Sequence, residues 1–130
     1  MMTCEGAGAR RPDVLIVEDN VDGRETLREV LALSGLRVEV AADGAEAVAK
    51  GTRLRPKAAV VDIGLPLLDG FDVCRELRRA LGRDVLLIAH TAYGTEECGR
   101  RARDAGFDCF VRKPCDLTEL TRLVRQVPNM

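Results

Sequence analysis

Five polar residues stand at places where apolar runs end, and their types suit phosphoryl chemistry: Glu18 and Asp19, Asp62, Thr91 and Lys113. Carboxylates brought together repel one another unless a cation joins them, and an all-oxygen set on a shallow edge suits Mg²⁺ that keeps several waters. With that charge offset, one carboxylate can act as nucleophile toward phosphorus and form an aspartyl phosphate. An ammonium such as Lys113 would balance the phosphoryl charge, and a hydroxyl such as that of Thr91 would donate to a phosphoryl oxygen.

These residues must be delivered to one place by regular elements, and the apolar patterning supplies them. Short β-branched runs alternate with longer segments of helical period, as repeated βαβ units around a buried parallel sheet require. The strands are expected at Val14 to Val17, Arg37 to Ala41, Ala58 to Val61, Val85 to Ala89 and Phe107 to Val111. The helices are expected at Asp22 to Ser34, Ala45 to Leu54, Gly70 to Leu81, Glu96 to Ala105 and Leu117 to Gln126. Side chains just past the carboxyl ends of such strands converge on one edge of the sheet, where ligands bind. That edge collects all five residues.

Several helix ends are legible. Gly35 follows the first helix as a cap, Asp69 is placed to cap the third, and Asp116 with Glu119 makes a capping-box-like start to the fifth. The fifth helix shows Leu117, Leu120, Val124 and Val127 on one face. The fourth offers only Cys98, Ala102 and Ala105 inward, so it is expected to bury little area and be the most easily displaced.

Composition bounds the rest. A chain of 130 residues with 46% apolar content suits one domain with one core. The 20 basic and 21 acidic side chains nearly cancel, and this balance supplies no basic field to hold nucleic acid or a membrane surface. No apolar run reaches membrane-spanning length, and the first eleven residues lack the apolar core of a signal peptide, so a cytoplasmic location is expected. The five cysteines (Cys4, Cys74, Cys98, Cys109, Cys115) fit neither a CxxC pair nor a zinc pattern, and are read as structural or incidental thiols. Residues 1–11 are read as a flexible tail before a domain over 12–130.

In sequence order, Val17-Glu18-Asp19-Asn20, Val61-Asp62-Ile63-Gly64-Leu65-Pro66 with Asp69-Gly70, His90-Thr91-Ala92 and Lys113-Pro114 together resemble a response-regulator receiver domain of two-component signalling. The resemblance runs from about Asp13 to Val127 and places four separate motifs on the correct strand ends. It implies a flavodoxin-like, doubly wound five-stranded parallel sheet of order 2-1-3-4-5. It further implies that Asp62 is the phosphoacceptor, that Glu18, Asp19, Asp62 and the backbone carbonyl of Gly64 hold Mg²⁺, and that Thr91 and Lys113 bind the phosphoryl group. Phe110 falls at the aromatic switch position, where the ring follows the movement of Thr91, and Lys113-Pro114 falls where a cis bond is usual. The donor would be a histidine kinase or a histidine phosphotransfer protein. A downstream protein would read the face of the fourth helix, fifth strand and fifth helix, with no direct contact to nucleic acid or membrane.

Taken singly, the acids read as helix caps, Lys113-Pro114 as a turn and Phe110 as a core aromatic. His90 is read as a neighbour of the site, since a phosphotransfer histidine would project from a helix face. Arg100, Arg101 and Arg103 read as a solvated face or as part of a partner surface. Gly64, without a side chain, and Tyr93, with a ring, suggest slow autodephosphorylation. The expected chemistry is confined to the chain's own phosphorylation and dephosphorylation, so it is not read as an enzyme acting on other substrates. No output domain is read within the chain, leaving a stand-alone regulator or a receiver segment of a hybrid histidine kinase, with Met1-Met2 favouring the first. The rivals are a phosphorylation-independent receiver-like interaction module, a phosphohydrolase, disfavoured by Gly64 in place of a second acid, and a flavin module, disfavoured by the lack of Trp and of a phosphate loop.

Overall fold

The computed structural model of the chain describes residues 11–64, 69–92, 94–113 and 117–126. In chain order the elements are β1 (Val14–Val17), α1 (Val21–Leu33), β2 (Val38–Ala41), α2 (Gly44–Leu54), β3 (Ala58–Asp62), α3 (Gly70–Leu81), β4 (Leu86–Thr91), α4 (Glu96–Ala105), β5 (Cys109–Arg112) and α5 (Leu117–Arg125). The strands form one sheet in the order β2-β1-β3-β4-β5, and every neighbouring pair is parallel. This is the doubly wound, flavodoxin-like topology, with β1 and β3 side by side where the winding reverses.

The inner strands are apolar on both faces because both faces are covered. Leu15, Val17, Ala59, Val61, Leu87 and Ala89 pack with Phe71, Val73 and Leu77 of α3 and with Ala47, Ala102 and Ala105. The alternate residues Val14, Ile16, Val60 and Ile88 pack with Leu27 and Leu31 of α1 and with Leu120 and Val124 of α5. Helices α2, α3 and α4 therefore cover one face, and α1 and α5 the other.

Local chemistry sets the element ends. The Asp69 carboxylate accepts from the Asp72 N–H at 2.9 Å, as the sequence predicts, and Asn20, Asp43 and Thr95 cap α1, α2 and α4 in the same way. Gly35 takes φ +90° just past α1 and Gly106 takes φ +115° just past α4, backbone that glycine adopts without strain. The expected start of the last strand at Phe107 moves to Cys109, because the Phe107 N–H donates to the Ala102 carbonyl at 3.0 Å and so still belongs to the end of α4. Conversely β4 runs on through His90 and Thr91, which pair with Val111 and Arg112. Asp116, Val127, Pro114, Tyr93, Leu65, Pro66, Cys4 and Cys115 lie outside the described residues.

As anticipated, α4 buries only Ala102 and Ala105, with Cys98 partly covered. Arg101 lies over the Phe71 ring at 4.3 Å from its centroid, while Arg100 and Arg103 are exposed. Cys74 is buried, its thiol directed at the Ala105 carbonyl at 3.4 Å, and burial raises its pKa to about 12. Arg11 is held against the carbonyls of Pro56 and Asp84, at 3.3 and 2.7 Å. Among the described residues no helix is long and apolar enough to cross a membrane.

Candidate functional site at the carboxyl edge of the sheet

Glu18 follows β1 and is aligned by its own N–H, which donates to the Ala41 carbonyl at 3.1 Å. Asp62 is the last residue of β3, and Lys113 follows β5, its N–H donating to the Thr91 carbonyl at 2.7 Å. The strands thus bring together what the sequence holds up to 95 positions apart: Lys113 Nζ lies 2.7 Å from Glu18 Oε1 and 3.5 Å from Asp62 Oδ2.

Glu18, Asp19 and Asp62 each offer an oxygen, and these oxygens lie within 4.8 Å of one another. Oxygens around one Mg²⁺ at about 2.1 Å lie roughly 3–4 Å apart, so the three carboxylates need only a small inward movement to share an ion. Their burial is graded: Glu18 is buried, Asp62 half-buried and Asp19 exposed. An oxygen-only set that is open on one side fits a hard cation retaining waters.

Burial raises the pKa of Glu18, and the nearby Asp62 charge adds to this, while the hydrogen bond from Lys113 opposes both. For Lys113 burial favours loss of the proton, but the bond to Glu18 and the Asp62 charge outweigh it and the pKa rises. The ammonium is therefore firmly protonated and holds two acids that repel each other. The backbone closes around them: the Asn20 N–H donates to Glu18 Oε2 at 3.2 Å and the Gly64 N–H to Asp62 Oδ1 at 3.1 Å.

Thr91 is fully buried at the end of β4. Strand alternation turns it toward the α2–α4 layer, whereas Asp62 and His90 continue the α1/α5 face. His90 is the register partner of Asp62, and its Nε2 is buried without a hydrogen bond among the described residues. Burial, helped by the Lys113 charge, lowers its pKa to about 4, so it is neutral at neutral pH. It forms part of a groove of about 600 Å³ between α1 and α5, shared with Glu18, Asn20, Thr26, Leu27 and Lys113. Phe110 is half-buried and packs against the core beneath α4, near Ala102 and Phe107.

Two features of the site were not readable as function from the sequence. A Cβ on Gly70 would lie 2.5 Å from Ile63 Cα and 2.6 Å from the Asp62 carbonyl oxygen, so the Asp69-Gly70 pair lets α3 begin directly against the backbone of Asp62. Arg24, one turn into α1, donates to the Glu18 carbonyl at 2.9 Å. The first had a sequence signal in the Asp-Gly pair, while the second had none beyond a cation near a helix start.

Comparison with known proteins bears on the same edge. The sequence matches the profile of the response regulator receiver domain over residues 14–125. It is 40% identical over 112 residues to the response regulator MprA of Mycobacterium leprae, covering 86% of this chain and 49% of that protein. The chain thus spans about half the length of that relative. It is also 39% identical over 115 residues to an uncharacterised 14.6 kDa protein of Leptolyngbya boryana, covering 88% of each. Among solved structures it resembles the receiver domain of the sensor histidine kinase PA1611 of Pseudomonas aeruginosa, with TM-score 0.82, 34% identity and coverage of 91% and 98%; that structure has a magnesium ion coordinated in its active-site cleft. The chemotaxis protein CheY4 of Vibrio cholerae superposes with TM-score 0.83 at 25% identity, covering 92% of this chain and all of the other.

Proposed function

The chain belongs to the response regulator receiver domain family of two-component signalling, and from that premise we propose that Asp62 accepts a phosphoryl group from a phosphohistidine. The donor is a histidine kinase or a histidine phosphotransfer protein. The observation that carries this reading is the single ammonium of Lys113 lying against both Glu18 and Asp62, with Asp19 close by.

In the transfer an Asp62 oxygen attacks phosphorus, the P–N bond breaks, and the leaving imidazole nitrogen keeps the electron pair and takes a proton from solvent. Glu18, Asp19, Asp62 and the Gly64 carbonyl would hold Mg²⁺. When bound, the ion offsets the repulsion among the carboxylates and the incoming phosphoryl oxygens. Lys113 exchanges part of its contact with Glu18 for a phosphoryl oxygen, and Thr91 donates its hydroxyl to another. Drawing Thr91 toward the phosphoryl group vacates space on the α4 side, which Phe110 fills, and the face of α4, β5 and α5 changes shape for a downstream protein. Gly64 presents no polar side chain to orient an attacking water, which supports a long-lived acyl phosphate.

The test is intact mass after incubation with acetyl phosphate and Mg²⁺. The expected result is a gain of one phosphoryl group, absent in Asp62→Asn and in EDTA, with Lys113→Ala slowed by about 10²-fold or more, as loss of a transition-state charge partner implies. No gain under any condition overturns the reading in favour of a phosphorylation-independent interaction module. A phosphorylated half-life of seconds overturns the part assigned to Gly64.

A further inference from the structure

The Arg24 guanidinium is the feature of the site that the receiver chemistry leaves unused. It is half-buried, and Nη1 donates to the Glu18 carbonyl at 2.9 Å. A cation in the second turn of a helix gains nothing from the helix dipole, which favours negative charge at that end, and α1 already carries Asp22 there. Its place calls for another reason.

The carbonyl it holds belongs to the peptide unit joining Glu18 to Asp19, the two acids that stand side by side in the carboxylate cluster. A peptide unit is planar, so fixing the direction of its C=O also fixes its N–H and the direction in which Asp19 leaves the loop. On the near side the Glu18 N–H is already tied to Ala41 of β2 at 3.1 Å, and the Glu18 carboxylate to Lys113. The exposed Asp19 is the member of the cluster without such burial, and its aim depends on the peptide that Arg24 grips.

At the start of α2, Glu46 has its pKa lowered chiefly by the Ala42 N–H, which donates to it at 2.8 Å, then by Lys50 at 3.2 Å, and least by the Arg24 charge. The direct contact of the guanidinium is with the carbonyl of the β1–α1 loop. A planar, pre-organised fork fixes the direction of that carbonyl better than a flexible ammonium does.

We propose that Arg24 is a positioning residue for the divalent cation, holding the Glu18–Asp19 peptide so that Asp19 is aimed at the ion before it binds. This rests on the reading of Glu18, Asp19 and Asp62 as the Mg²⁺ site. Groups that orient metal ligands from behind are commonly worth 10–100-fold in affinity, and Arg24→Ala is expected to weaken Mg²⁺ binding by about 10-fold or more.

The measurement is a titration of the ¹⁵N-labelled full chain with MgCl₂, followed through its amide resonances, on the parent, Arg24→Ala, Arg24→Lys and Asp19→Asn. The same spectra report whether each variant is folded, and Arg24→Lys keeps the test alive should the alanine variant unfold. Expected is a parent that binds, an alanine variant that keeps a native spectrum but binds about tenfold more weakly, and a lysine variant that recovers part of the loss. Parent-like affinity in Arg24→Ala, or in a folded Arg24→Lys where alanine unfolds, overturns the role of Arg24 alone. A parent that shows no Mg²⁺-dependent shifts overturns the metal site and this role with it.

Discussion

Helices α3 and α4 lie side by side on the same face of the sheet, yet they are attached in different ways. α3 buries Phe71, Val73, Cys74, Leu77 and Leu81, and its first residue rests on the Asp62–Ile63 backbone. α4 buries two alanines and adds a surface contact from Arg101 to the Phe71 ring. Area decides the contrast, because a buried Leu or Phe contributes about 1.5–3 kcal/mol whereas an alanine methyl contributes far less. One helix is welded to β3 and its neighbour is held by little buried area, so a small free energy suffices to move α4 where a large one is needed to move α3.

The largest effect expected from breaking this contrast is on the anchored side. Leu77 is fully buried among Leu15, Val61 and Leu81, and Leu77→Ala should cost about 2–5 kcal/mol in urea unfolding. Next comes Gly70→Ala, whose new methyl meets backbone atoms at 2.5 and 2.6 Å and has no flexible neighbour to displace. It should cost about 1–3 kcal/mol and, unlike Leu77→Ala, should slow phosphorylation by acetyl phosphate beyond what the stability loss explains, because the strain falls on Asp62. On the loose side, Ala105→Gly should cost only about 1 kcal/mol and leave acceptor chemistry close to parent. Smallest is Arg101→Ala, about 0.5–1 kcal/mol, seen as faster amide hydrogen exchange in α4 with α3 unchanged. Equal exchange in the two helices of the parent protein would remove the contrast altogether.

Much of this arrangement was legible in the residues. The poverty of the inward face of α4 was visible as Cys98, Ala102 and Ala105, since helical period and side-chain size are properties of sequence. The cap at Asp69 was visible for the same reason, capping being a local rule. The meeting of Glu18, Asp19, Asp62 and Lys113 was legible only because a parallel sheet gathers its strand ends, and the strand order itself came from the resemblance. What stayed hidden depended on distances between elements. Nothing in the run Phe107-Asp108-Cys109 announces that the Phe107 N–H is kept by α4, nor that the Asp108 carboxylate turns back to accept from the Leu87 N–H at 2.8 Å and to pair with Arg78. The grip of Arg24 on Glu18 and the lowered pKa of His90 likewise follow from packing, which no spacing rule encodes.

The sheet order gives Lys113 a standing that the other site residues lack. Glu18 and Asp62 hang from β1 and β3, each clasped by a strand on either side, whereas Lys113 is carried by β5, which among the described residues is hydrogen-bonded along one edge to β4 alone. Two of the three negative members of the site are thus set in the frame, and the positive member is mounted on its rim. Any displacement of β5 would therefore reach the ammonium first, by way of its own strand, and through it the charge balance that Lys113 sets between Glu18 and Asp62.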